Sequence, residues 1–185
     1  MRKGFTLLEL LAVLGLIGAL AVLSFPAWRT LMNSAARRTG EARIMESLEH
    51  ARGEAISSGK EVWLLLRHDR GNGRDADRIL ARNGRDITPL GPWDHLPQGI
   101  TFHEGSGGIP DAPPPRDILE SAVNPGHADG SFGAVMFLRS GSIGWPKTGQ
   151  CNLSIAVDSK NGTSVITLSR GTGRASISPA QGGTR

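Results

Sequence analysis

The sequence predicts an α+β chain in which one long N-terminal helix precedes a β-rich, antiparallel head. Two observations carry this. Residues 5–58 hold apolar positions at helical spacing and contain a single proline, whereas from Lys60 onward the pattern changes to short runs punctuated by turn formers. The whole chain has 25 Gly and 11 Pro among 185 residues, too many turn formers for a helical bundle, and most of them lie after the break. The length sets a prior of one domain with room for an appendage.

The first element opens on Met1-Arg2-Lys3-Gly4 and continues Phe5-Thr6-Leu7-Leu8-Glu9 before sixteen uncharged residues, Leu10 to Phe25. From Phe5 to Pro26 there are 22 residues with one charge. At 1.5 Å per residue this run is roughly 30 Å long, the thickness of a bilayer's hydrocarbon core, so the sequence predicts a transmembrane segment over 5–26. Arg2 and Lys3 place its start on the cytoplasmic side and the head outside. A secretory signal peptide cut near Ala19-Leu20-Ala21 is the competing reading. Glu9 argues against it: a carboxylate in an apolar span costs about 2.5–3.5 kcal/mol on insertion scales, and a disposable signal gains nothing from it.

Beyond Pro26 an amphipathic half follows over 27–58. Trp28, Leu31, Ala35, Ala42, Met45, Leu48, Ala51 and Ala55 are predicted to form its apolar face, and Pro26 to kink or loosen the helix. Arg38–Glu41 and Glu49–Arg52 are opposite charges three apart on the polar side. Ser57-Ser58-Gly59 ends the helix.

The head, 59–185, is predicted to contain strands at 61–67, 78–82, 99–104, 132–139, 152–158, 163–169 and 174–178. Asn161-Gly162 marks a hairpin between two of them. The stretch 105–131 holds ten Gly or Pro, including Pro113-Pro114-Pro115, and reads as an exposed excursion.

Gly4-Phe5-Thr6-Leu7-Leu8-Glu9-Leu10, the uncharged run behind it and Pro26 resemble the N-terminus of type IV pilins and of the pseudopilins of type II secretion. The resemblance implies a leader of residues 1–4, cleavage by a prepilin peptidase between Gly4 and Phe5, and N-methylation of Phe5. It also implies a role for Glu9 in assembly, facing the Phe5 amine of a neighbouring subunit, where a buried ion pair acts as a register constraint. The later motifs Ala51-Arg52-Gly53-Glu54-Ala55-Ile56, Leu96-Pro97-Gln98-Gly99-Ile100, Phe137-Leu138-Arg139-Ser140-Gly141 and the turn at Gly173-Arg174 are similar to the H-type pseudopilins and FimT-like minor pilins. That implies a pilin-like fold and a minor pseudopilin of a type II secretion pseudopilus, held in the inner membrane with its head in the periplasm and then in the filament. The alternative is a FimT-like minor pilin of a type IV pilus. The implied partners are other pseudopilins or pilins, the prepilin peptidase, the inner-membrane assembly platform and membrane lipid.

Nucleic acid is the weaker alternative partner. FimT-like proteins that bind DNA carry a C-terminal G-R-x-R motif, while this chain has Gly173-Arg174-Ala175-Ser176 with Arg170 upstream, so Arg170 and Arg174 are the candidate contacts. The head has 14 basic and 12 acidic residues, a small excess for tracking phosphates. No G-x-S-x-G, H-E-x-x-H or Walker motif occurs and the five histidines are scattered, so neither an enzyme nor a cofactor is expected. Asp69, Asn72, Asp75 and Asp77 crowd one segment and invite calcium, but the EF-hand spacing is not met and Arg70, Arg74 and Arg78 already balance the charge, which favours a polar hairpin loop. Cys151, opening an apolar strand, is expected to be a buried thiol, with an intermolecular disulfide as the alternative.

Overall fold

The computed structural model describes residues 7–68, 74–103, 113–122, 131–147, 150–160 and 162–179; the side chains of 22–31, 33, 131 and 179 are not described. Helix α1 runs from Leu7 to Ser58, 52 residues that stay helical through Pro26. The chain divides into two compact units, residues 1–35 and 36–185.

In the first unit every described side chain from Leu7 to Ala21 is exposed, including Leu7 at 79 % and Leu16 at 65 %. Among the described residues no helix is long and apolar enough to cross a membrane. This departs from the expectation of a transmembrane segment over 5–26. The leader 1–4 and Phe5 lie outside the described residues.

The second unit starts inside the helix. Ile44, Leu48, Ala51 and Ala55 are buried at spacings of four, three and four, and they join the core of the head. The expected apolar face is found at Leu48, Ala51 and Ala55, with Met45 packed against the core; Ala35 and Ala42 are exposed, Ile44 joins the face, and Trp28 and Leu31 have no described side chains. Glu49 and Arg52 pair at 3.5 Å as their spacing predicts, whereas Glu41 takes Arg37, at 2.7 Å, in place of the expected Arg38.

Ten strands follow among the described residues. One sheet contains β1 (Glu61–His68), β2 (Ala76–Asn83), β3 (Asp86–Pro89), β6 (Ser131–Phe137) and β7 (Ile143–Trp145) in the order β3-β2-β1-β6-β7, with β4 (Asp94–His95) also on β2. The other has the order β10 (Ala175–Pro179), β9 (Gly162–Ser169), β8 (Asn152–Ser159), β5 (Thr101–Phe102). Every one of these pairings is antiparallel. The amide of Ile143 donates to the Arg170 carbonyl at 2.9 Å and links the two sheets.

Residues of β1 face two ways, as a strand's period of two requires. Val62, Leu64 and Leu66 meet α1 and the second sheet's Phe102, Ile155, Ile166 and Leu168 in the main core. Trp63 and Leu65 point to the other face, where Leu80, Ala134, Ile118 and Ala122 cover them. Both faces are buried, which explains the unbroken apolar run Val62–Leu66.

Ile118 and Ala122 belong to α2 (Arg116–Ala122), inside the stretch expected to be an exposed excursion. The three prolines do not break structure here. Pro115 precedes the first helical residue and its carbonyl accepts from the Leu119 amide, so the run starts the helix. Residues 104–112 and 123–130 are outside the described set.

Candidate functional site

The sequence points to three candidate regions: the helix start, the Arg170–Arg174 turn and the acidic segment 69–77. The structure treats them very differently.

At the helix start, Glu9 sits in the first turn of α1 among exposed leucines: Leu7, Leu8, Leu10 and Leu11 are each more than half exposed. Val13, Leu14, Leu16, Ile17 and Leu20 continue the exposed apolar surface through the next turns. Monomeric proteins rarely leave a contiguous surface of this kind uncovered, so it marks a contact surface for other apolar matter. The cleavage residues Gly4 and Phe5 lie outside the described residues.

The Arg170–Arg174 turn is tied to the fold at almost every residue. Arg170 donates from Nε to the Gln150 carbonyl at 3.0 Å and from Nη2 to the Pro146 carbonyl at 2.7 Å. Arg52, on α1, donates from Nε to the Thr172 carbonyl at 2.9 Å. Gly173 has φ +64°, and a Cβ there would lie 1.9 Å from the Gly141 carbonyl oxygen. Only glycine suits both the left-handed backbone and that close approach. Gly141, φ +78°, closes the turn between β6 and β7 and packs in turn on Ile56 and Arg52. Two of the motifs read from the sequence, the helix end and Phe137–Gly141, thus meet at this turn. Arg174 is exposed, while Arg170 is half-buried and its guanidinium is engaged with main-chain carbonyls.

The acidic segment is not a solvated hairpin loop at the residues described. Asp75 is fully buried; its Oδ2 accepts from the Phe102 amide and sits 2.9 Å from His68 Nδ1, joining β1, β2 and β5. Asp77 is 2 % exposed, on β2. Burial pushes its carboxyl up to about 6, aided by Asp94 and opposed by the Ser47 hydroxyl, which hydrogen-bonds it, and by Arg43. Among the described residues no three His, Cys, Asp or Glu side chains are placed to hold a metal ion. Asp69 and Asn72 lie outside the described residues.

Cys151 is exposed, one residue before β8. The expectation of a buried thiol is overturned because the apolar alternation begins two residues later, at Leu153. On the helix, Glu41 accepts from the buried Ser164 hydroxyl and from Arg37. Burial raises its pKa, but these two hydrogen bonds and the arginine charge outweigh it and hold the carboxyl below its usual range. That cluster fastens α1 to β9.

No family model matches the chain, and no curated protein matches it. Among solved structures the chain is similar to the type IV minor pilin FimU of Pseudomonas aeruginosa (strain PAO1). In one crystal form the identity is 20%, over 82% of this chain and 90% of that chain, with a TM-score of 0.45. In a second form the identity is 20%, over 79% and 91% respectively, with a TM-score of 0.42.

Proposed function

We propose that this chain is a minor structural subunit of a type IV pilin-like filament, in the first reading the pseudopilus of a type II secretion system, where it aids protein export. The observation that carries the proposal is the exposed apolar first half of α1 with Glu9 in its first turn, directly behind Gly4-Phe5-Thr6. A single subunit leaves that surface open. Packed side by side with the same segment of other subunits, it becomes the core of a filament.

Before assembly the surface is covered by membrane lipid, with the 22 residues from Phe5 to Pro26 as the apolar run and the head in the periplasm. Cleavage between Gly4 and Phe5 by a prepilin peptidase exposes the Phe5 amine, which is then N-methylated. In the filament that amine faces Glu9 of a neighbour. Each charge is costly in an apolar setting, and the pair satisfies both only in the correct register. The assembly platform of the inner membrane and the other pseudopilins or pilins are the partners of this step.

The type IV pilus is the alternative home, because the same helix serves both. DNA uptake through Arg170 and Arg174 draws less support, since two carbonyls already take the Arg170 guanidinium.

Mass spectrometry of the chain purified from membranes tests the proposal. A mature N-terminus at N-methyl-Phe5 is expected. An intact Met1, or a start near Ala21, overturns it.

A further inference from the structure

Strand β4 lies antiparallel against β2 with Asp77 directly opposite Asp94. Residues paired in this way share a face of the sheet, with Cβ atoms roughly 4.5–5.5 Å apart, and like charges placed there repel. The two acids have different surroundings. Asp94 is half-exposed and paired with Arg43 Nη2 of α1. Asp77 is almost wholly buried and is hydrogen-bonded to the Ser47 hydroxyl of the same helix. Its Oδ1 is buried with no hydrogen-bond partner among the described residues.

An ionised Asp77 is therefore poorly provided for. A buried carboxylate needs both oxygens satisfied and an opposite charge beside it, whereas a neutral carboxyl leaves an oxygen unbonded at smaller cost. Arg43 faces both acids, but its guanidinium is engaged by Asp94. Arg78, next to Asp77 on β2, donates instead to the carbonyls of Gly91, at 3.0 Å, and Ala122, at 2.7 Å. From the helix Glu46 adds a further negative charge, and His50 is exposed one turn on. Asp75, two positions earlier on β2, is taken by His68 and the Phe102 amide, and Leu66, opposite Asp77 on β1, is apolar.

We propose that Asp77 is a proton-operated latch between α1 and the β2–β4 pair: neutral, it lets the helix close on the strands; ionised, it parts residues 43–50 from them far enough to admit water. The closed seam binds the proton more tightly than an opened one, because burial, with the Asp94 charge, holds the carboxyl up at about 6 against an ordinary 3.8. Opening therefore becomes easier as pH rises between these two values and levels off above the upper one. The latch goes beyond the filament reading and stands independently of it, because all of its residues lie within 36–185.

The test uses the full chain, labelled with ¹⁵N in detergent micelles. Amide hydrogen exchange of residues 43–50 is followed by NMR and corrected for the intrinsic pH dependence of exchange. Their opening constant should rise on the order of fiftyfold between about pH 4 and about pH 7.5, and there exceed that of the β8 amides, which report global unfolding. Asp77→Asn should hold the opening constant level across the range. Asp94→Asn removes the opposing charge and releases Arg43 to Asp77, so the rise should shrink severalfold. His50→Gln should leave the rise intact, which separates the latch from a histidine titrating in the same range. The proposal is overturned by a parent protein without the rise, by opening at 43–50 no easier than at β8, or by a rise that survives Asp77→Asn. Loss of the rise in His50→Gln, or an undiminished rise in Asp94→Asn, overturns it equally.

Discussion

The two halves of α1 belong to one continuous helix, yet they have opposite surroundings. From Leu7 to Ala21 every described side chain is exposed; from Gly40 to Ala55 one face is closed against the head. The difference lies in what interrupts the apolar residues. In the first half the only charge is Glu9, so no face is marked as the polar one and the surface is apolar all round. In the second half the exposed Arg38, Glu46, Glu49 and His50 define a polar side and leave one stripe for burial. An all-round apolar helix needs lipid or other helices; a one-sided helix needs only its own head.

Truncation is the strongest way to break that comparison. Removing residues 1–58 deletes Ile44, Leu48, Ala51 and Ala55 from the core, and the remaining head should lose cooperative thermal unfolding altogether. Removing only residues 1–35 should leave the cooperative transition in place. Circular dichroism on heating distinguishes the two. Equal behaviour of the two truncations would show that the second half of α1 is no part of the head.

Single substitutions sharpen it. Leu48→Ala should cost about 2–5 kcal/mol in denaturant unfolding, the range for a buried leucine, while Leu14→Ala in the first half should stay within about 0.5 kcal/mol. Gly173→Val should cost more than about 2 kcal/mol, because it combines a strained backbone with a clash on the Gly141 carbonyl.

A pH series probes the seam between α1 and β2. The Asp77 carboxyl titrates at about 6 in the folded protein against an ordinary 3.8, so between these values the native state holds a proton that the unfolded chain has released. Its contribution is therefore most favourable at low pH and is lost as pH rises through about 6. Asp77→Asn removes this dependence, and its stability relative to the parent should improve by on the order of 2 kcal/mol between about pH 4 and pH 7.5. A flat difference across that range would contradict the burial of a titrating carboxyl.

The smallest expected effect separates the two arginines of the C-terminal turn. Arg170→Ala should cost about 1–2 kcal/mol through its two carbonyl bonds, and Arg174→Ala less than about 0.5 kcal/mol.

Much of this fold is legible in the residue pattern. The expected strand 61–67 is β1, Glu61–His68. The glycine of Asn161-Gly162 opens β9 opposite Ser159, the last residue of β8, where the hairpin was expected; Asn161 itself lies outside the described residues. What is not legible depends on distant partners. Asp75 and Asp77 look like loop residues because the Phe102 amide, His68 and Ser47, which satisfy them, are 27, 7 and 30 positions away. The helix α2 is hidden because prolines read as punctuation equally well before a helix and within a loop. On α1 the stripe is legible at Leu48, Ala51 and Ala55, but Ala35 and Ala42 are exposed and Ile44 is missed, because alanine is compatible with either face. Arg170 shows the same limit: a guanidinium offered to a ligand and one bound to carbonyls of its own chain have identical sequence signatures.

The central claim is that the first half of α1 is an assembly surface whose register Glu9 sets against a neighbour's Phe5 amine. Glu9→Val tests it most directly. The substitution removes the insertion cost of about 2.5–3.5 kcal/mol, so membrane abundance should be equal or higher, and cleavage after Gly4 should persist. Crosslinking to co-expressed pseudopilins or pilins is the measurement, normalised to the membrane-bound amount. The account predicts that Glu9→Val crosslinks are lost and that Glu9→Asp, one methylene shorter, gives a partial yield. Wild-type crosslinking by Glu9→Val would contradict it.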